Sequence, residues 1–284
     1  MKKLNLGGRK MEGTQLVQKA MNFRNLHLNS FILPNAWDAV SAKIFEQCGF
    51  QALGTTSAGI AASRGYADRN MPFDTMLDAV RSIVQAVDIP VTVDIEDGYG
   101  ETPEEVVETV KQVIHAGAVG INLEDSTMDP QKPLYDIPVQ QKKIAAIREL
   151  GKSIGIPVFI NARTDPYWIK LETPSSKLEE TIKRAHAYQE AGADCIFVPG
   201  IKTISDIRTL RQEVIGPINV LAGPGLPPAN ELAALGIQRI SSGSGPFRAA
   251  VSLLQSIGQD MLDRGSFEQM TSTSKISYDD LLRL

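Results

Sequence analysis

The sequence predicts an α/β fold, a closed (β/α)8 barrel of the TIM type, from two repeated signals and their number. Cys48-Gly49-Phe50-Gln51-Ala52-Leu53, Ala116-Gly117-Ala118-Val119-Gly120-Ile121, Ala191-Gly192-Ala193-Asp194-Cys195-Ile196 and Leu235-Gly236-Ile237-Gln238-Arg239-Ile240 form the first signal. Each places a glycine after a helical pattern, where a left-handed residue ends the helix, and then enters an apolar run. The second signal lies between them: Ile89-Pro90, Ile156-Pro157 and Gly216-Pro217 each open another apolar run. Proline is tolerated at the first residue of a strand and excluded from its centre.

With Phe31-Ile32-Leu33 these signals give eight strands, near 31–34, 52–56, 90–95, 119–124, 157–163, 195–199, 217–222 and 238–242. Such short, nearly continuous apolar runs suit a parallel sheet buried on both faces. Helical patterns separate them, over 37–47, 73–86, from Thr102 onward, 138–150, 178–191, 204–213, 228–235 and 246–262. The clearest has Thr102 as N-cap, Pro103 at the first helical position and Glu105 closing a capping box. Val106, Val110, Val113 and Ile114 form its buried stripe. A doubly wound open sheet is the alternative, but no GxGxxG follows the first strand.

The 284 residues fit a single barrel domain over 1–284, and basic, Gly-bearing residues 1–10 read as a flexible arm. A net charge of −4 argues against nucleic acid or an anionic membrane as partner. No run approaches the ~18 apolar residues of a membrane span. Cys48 and Cys195 form no CxxC or Cys/His cluster. That favours a reducing, cytoplasmic setting with neither disulfides nor a zinc site.

In such a barrel the chemistry sits at the C-terminal ends of the strands. Those ends carry Asn35, Trp37 and Asp38, then Thr55 to Gly59, then Asp94, Glu96 and Asp97. Asn122, Glu124 and Asp125 follow, then Asn161, Arg163 and Asp165, and finally Asn219 with two Gly-rich turns. Five carboxylates on two neighbouring strand ends repel one another unless a cation intervenes. Oxygen donors without His or Cys point to Mg²⁺, with Mn²⁺ as a possible substitute, rather than zinc. His27, His115 and His186 fall in helical patterns or before the barrel, so no histidine base serves the strand ends. The structural alternative for Asp97, Asp125 and Asp165 is that they cap helices and face solvent. For Arg163 it is an internal ion pair rather than a forked bond to a substrate carboxylate.

Together, several of these segments resemble the isocitrate lyase/phosphoenolpyruvate mutase superfamily. They are Leu33-Pro34-Asn35-Ala36-Trp37-Asp38, Thr56-Ser57-Ala58-Gly59, Val93-Asp94-Ile95-Glu96-Asp97-Gly98-Tyr99-Gly100, Asn122-Leu123-Glu124-Asp125 and Asn161-Ala162-Arg163-Thr164-Asp165. The resemblance implies Asp94 as direct metal ligand, with Glu96 and Glu124 holding the metal's waters. It implies Ser57, Ala58 and Gly59 around the 2-oxo acid, Arg163 on its carboxylate, and Trp37 and Asp38 shaping the pocket floor. Asp68 matches a family acid near the reacting end. A C-terminal helical extension over 265–284, exchanged between subunits of a homotetramer, is implied as well.

The sequence departs from that family in two places. The lyase members' Lys-Lys/Arg-Cys-Gly-His loop is replaced by residues 126–136, without Cys or His, and Glu96 stands where Asp is frequent. Tyr99, Tyr135 and water are then the candidate proton donors. The reading is an Mg²⁺-dependent lyase or decarboxylase that cleaves a C–C bond in a small 2-oxo or 2-hydroxy acid through a metal-stabilised enolate. Alternatives are P–C chemistry on phosphonopyruvate-type substrates, with Gly223-Pro224-Gly225 and Ser242-Gly243-Ser244-Gly245 as phosphate cradles, and Schiff-base chemistry at Lys202. A non-catalytic binding protein on the same barrel is a further alternative.

Overall fold

The computed structural model describes residues 13–170 and 176–284, so the arm expected at 1–10 lies outside the described residues. All eight expected strands are present, the first in two pieces: β1 (Phe31–Leu33) and β2 (Asn35–Ala36). The others are β3 (Leu53–Thr55), β4 (Val91–Asp94), β5 (Gly120–Glu124), β6 (Phe159–Arg163), β7 (Cys195–Val198), β8 (Ile218–Leu221) and β9 (Arg239–Ser241). Every pairing between these strands is parallel, in the order β1-β9-β8-β7-β6-β5-β4-β3-β2. Because β1 and β2 are joined through Pro34, the two ends of that order are one stave, and the sheet closes. Proline lacks the N–H that would continue the ladder, so the chain changes partner there, from β9 to β3.

The repeated glycines act as expected. Gly49, Gly117, Gly192 and Gly236 have φ of 91°, 101°, 107° and 82°, a region that Cβ-bearing residues avoid. The helix α5 (Pro103–His115) carries the expected capping box between Thr102 and Glu105 and buries Val106, Val110, Val113 and Ile114. Two helices escaped the sequence reading, α1 (Gly13–Leu26) and α3 (Ser57–Ser63). The first buries only Leu16, Ala20 and Phe23, too sparse a stripe to register as periodic. The second is a single short segment of small residues.

α1 plugs the N-terminal end of the barrel. Phe23 meets Phe159 edge to face at 5.1 Å, and His27 stacks on Phe159 at 4.1 Å. Burial, with the charge of Arg239 behind it, lowers the His27 pKa from 6.5 to about 3. A depressed histidine contributes stability that is full above pH 6.5 and is lost as pH falls from there toward 3. The slope is about 1.4 kcal/mol per pH unit. The His27 contribution to unfolding free energy is therefore about 2 kcal/mol smaller at pH 5 than at pH 7, and the change measured between these pH values by urea unfolding should differ by that amount between the unaltered protein and His27→Gln. An equal fall in both proteins would refute the assignment.

At the other end, α10 (Gly245–Arg264) leaves Val251, Leu254 and Leu262 46%, 68% and 81% exposed, and only Asp260 is buried. Short helices α11 (Glu268–Thr273) and α12 (Tyr278–Leu281) follow it. No helix among the described residues is long and apolar enough to cross a membrane.

Candidate active site

The loop after β4 is built by unusual backbone. Glu96 and Tyr99 have φ of 54° and 52°, and Gly98 between them has 109°. A Cβ on Gly98 would come 2.6 Å from Val106 Cγ2, so the position demands glycine. Among the described residues only three non-glycines have positive φ, and all lie at the barrel mouth: these two and Arg69. Each such residue costs roughly 1 kcal/mol or more, which the surrounding structure must offset.

Asp94 ends β4, and its carboxylate is held from the neighbouring stave. Oδ2 accepts from Ser57 Oγ at 2.8 Å and Ser57 N at 3.3 Å, while Asp94 N donates to Thr55 Oγ1. Two residues on, Glu96 is buried, and its Oε1 has no hydrogen-bond partner. Burial, then the charges of Asp94, Glu124 and Asp68, push Glu96 up to about 8. The Tyr99 hydroxyl is likewise buried and unpartnered, and burial with the charges of Glu96 and Asp94 raises its pKa strongly. Asp68 is exposed by area, yet partial desolvation and Asp94 raise it too, so it overhangs the same acidic mouth.

Glu124 ends β5 between two guanidiniums. Its Oε2 lies 2.7 Å from Arg163 Nη1 and its Oε1 2.8 Å from Arg69 Nη1. Burial raises Glu124 against the pull of both arginines. Sequence reasoning missed Arg69, which arrives from the loop beyond α3 and has no local pattern to mark it. It also donates to Ser126 Oγ and Ser126 O, and lies 3.3 Å from Asp97. The Ser126 to Asp136 loop is fastened to the mouth a second time through Tyr135, whose hydroxyl donates to Asp97 Oδ2 at 3.0 Å.

Several expectations need correction. Arg163 forks onto Asp165 through Nε (2.7 Å) and Nη2 (3.0 Å), so the internal ion pair is real. Of its five N–H groups, three are engaged within the protein. Asp125 and Asp165 do not face solvent; both are fully buried, and Asp125 accepts from Arg184, Tyr188, Thr164 and the Asp165 amide. Asp38 uses its carboxylate as the N-cap of α2 (Ala39–Gln47), accepting from Ser41 N. Trp37 stands beside it at the mouth, edge-on to Phe247 at 5.4 Å. Asn219 is the second residue of β8, not its end, and is buried inside the barrel.

The second Gly-rich turn is not a free phosphate cradle, because Gly243 N donates to Asn35 Oδ1 at 2.8 Å and Gly245 N to Ser242 O. Lys202 is exposed, away from the enclosed site a Schiff base needs. A Cβ on Gly59 would meet Thr56 Cγ2 at 2.6 Å and Trp37 Cβ at 3.3 Å, so the Ser57-Ala58-Gly59 turn packs close beneath Trp37.

Six carboxylates, Asp68, Asp94, Glu96, Asp97, Glu124 and Asp165, thus share the mouth with the guanidiniums of Arg69 and Arg163. No three acids, histidines or cysteines among the described residues close on one point as direct ligands. An orphaned Glu96 oxygen beside Asp94 nevertheless fits a hard cation with few protein ligands and several waters.

The family model for phosphoenolpyruvate phosphomutase matches residues 23–262. An uncharacterized Mycobacterium tuberculosis protein is 37% identical over 233 residues, 81% of this chain and 85% of its own. 2,3-Dimethylmalate lyase of Eubacterium barkeri is 30% identical, over 89% of each chain. Among solved structures, phosphonopyruvate hydrolase in complex with oxalate and Mg²⁺ superposes with a TM-score of 0.81 at 26% identity, covering 93% of this chain and 94% of that one.

Proposed function

The chain belongs to the isocitrate lyase/phosphoenolpyruvate mutase superfamily, and on that premise we propose an Mg²⁺-dependent lyase that cleaves a carbon–carbon bond in a small 2-oxo or 2-hydroxy carboxylic acid. The observation that carries this reading is the buried, unpartnered Glu96 oxygen in a mouth with a large excess of carboxylates. Asp94 would be the direct ligand, with Glu96 and Glu124 holding the cation's waters. When bound, the cation supplies the positive charge that an oxyanion developing at the substrate's carbonyl oxygen requires.

The chain's own groups do the rest. Arg163 offers two unused N–H groups to the substrate carboxylate, while Asp165 keeps its fork oriented. Ser57 fixes the Asp94 rotamer and, with Ala58 and Gly59, forms the wall nearest the substrate. Tyr99 keeps its proton, because burial and the facing acids oppose ionisation, and can deliver it to the product. Asp68 overhangs the same point. Exposed Val251, Leu254 and Leu262 on α10 support a homo-oligomer that buries this helix between subunits, which light scattering on the purified chain tests.

The direct experiment offers 2,3-dimethylmalate, oxaloacetate, methylisocitrate and phosphonopyruvate to the enzyme with Mg²⁺, then with EDTA. Cleavage of one carbon substrate, lost on chelation and restored by Mg²⁺, is the expected result. Turnover indifferent to EDTA overturns the metal assignment. Phosphorus NMR showing only phosphonopyruvate consumed moves the chemistry to the P–C bond.

A further inference from the structure

TIM-barrel interiors are ordinarily filled by branched apolar side chains. Here four inward positions are polar: Asn122 on β5 and Asn161 on β6, then, beyond β7 with its inward Cys195, Asn219 on β8 and Arg239 on β9, all buried. Arg239 Nη2 reaches Asn122 Oδ1 at 3.4 Å. Strands β9 and β5 are not neighbours in the sheet, so that contact crosses the barrel interior. Asn161 Nδ2 donates to the same Asn122 oxygen, and Asn219 is the register partner of Arg239.

Most of the polar side-chain atoms at these positions, and at Thr92 and His27 near them, have no partner. Arg239 Nε and Nη1, both polar atoms of Asn219, Asn161 Oδ1, Thr92 Oγ1 and His27 Nε2 are buried without a hydrogen bond. Arg239 is 0% exposed, and no carboxylate pairs with it among the described residues. Nor can the other nearby ionisable groups supply the missing negative charge. Burial raises the Cys195 thiol to about 12 and lowers His27 to about 3, so both are neutral at pH 7. Asp94, at the end of β4, attracts the guanidinium but forms no ion pair with it. From below, Phe23 covers the guanidinium at 5.9 Å and α1 seals the barrel. A guanidinium does not give up its proton at neutral pH, and burying one with neither an ion-paired carboxylate nor full hydrogen bonding is strongly destabilising.

We propose that the barrel interior beneath the catalytic mouth holds a small monovalent anion of the halide class, bound by Arg239 Nε and Nη1 and Asn219 Nδ2. The unpaired acceptors, Asn161 Oδ1 and His27 Nε2, would take hydrogen bonds from waters bound with the anion. The anion is structural: it neutralises Arg239 and takes no part in turnover, so the site stands or falls apart from the lyase reading.

Crystals grown with sodium bromide in place of chloride test this directly. An anomalous peak within hydrogen-bonding reach of Arg239 Nη1 and Asn219 is the expected result; ordered waters alone at that position overturn the proposal. In solution, at constant ionic strength with gluconate as the balancing ion, Tm should rise by about 3 °C for each tenfold increase in chloride above half-saturation. Arg239→Met should abolish that rise. Should that variant fail to fold, Asn219→Leu, which removes one donor and keeps the charge, is expected to weaken chloride binding several-fold. A Tm for the unaltered protein that ignores chloride counts against the site.

Discussion

Replacing Asp94 with alanine is expected to lower kcat/KM by roughly 10³-fold, about 4 kcal/mol of transition-state stabilisation, while leaving the fold intact. The asymmetry follows from the geometry. Asp94 is presented to the mouth by Ser57 and Thr55 in a single arrangement, so its loss removes the one direct ligand proposed for the cation. It also removes one of several mutually repelling carboxylates, since Asp94 is among the charges that push Glu96, Asp68 and Glu124 upward. Stability should therefore hold or rise by about 1 kcal/mol. Asp94→Asn separates charge from shape. It keeps an acceptor for Ser57 yet should lose nearly as much activity, because a neutral amide is a poor ligand for a hard cation. Calorimetric titration with Mg²⁺ checks the cause independently of turnover: its binding heat should disappear in both variants. Binding within twofold of the unaltered protein would remove Asp94 from the proposed metal centre.

The second large effect is on stability, and it comes from a residue that touches no substrate. Asp125 is fully buried, and its Oδ2 accepts from Tyr188 (2.7 Å), Thr164 (2.9 Å) and Arg184 (3.1 Å), while its Oδ1 accepts from the Asp165 amide (3.0 Å). Asp125→Ala leaves a buried guanidinium, two hydroxyls and an amide without this partner. Breaking a buried pair from one side costs about 3–5 kcal/mol, which lowers Tm by about 10 °C in a chain of this size. Asp125→Asn keeps an acceptor but not the charge, so roughly half that loss is expected. Denaturant unfolding of the two variants gives the comparison, and a loss under about 1 kcal/mol in the alanine variant would show the network to be dispensable. Because the same network positions Asp165, and through it Arg163, the alanine variant should also bind a carboxylate ligand more weakly.

These two residues show how function was distributed along the chain. Adjacent in sequence, Glu124 and Asp125 look alike as acids at the end of an apolar strand, and the sequence reading allowed Asp125 to face solvent. In the structure they point to opposite sides of the stave: Glu124 inward between two arginines, Asp125 outward onto α7 (Lys177–Glu190) through Arg184 and Tyr188. Alternation along a strand forces that split.

What the sequence by itself determined is the local grammar. Gly49, Gly117, Gly192 and Gly236 had to end helices, and Pro90, Pro157 and Pro217 had to precede strands. Thr102 had to begin α5, since backbone sterics and capping act over a few residues. From that grammar the eight staves followed, and with them the placement of Asp94, Glu96, Glu124 and Arg163 at the mouth. Only the tertiary structure decided which charges meet. Arg69 reaches Glu124 from 55 positions earlier, Arg163 turns its fork to Asp165, and Arg239 lies across the barrel from Asn122 with no ion-paired acid among the described residues. Such pairings depend on closure of the barrel, which brings distant side chains within a few ångströms, and no spacing along the chain encodes them.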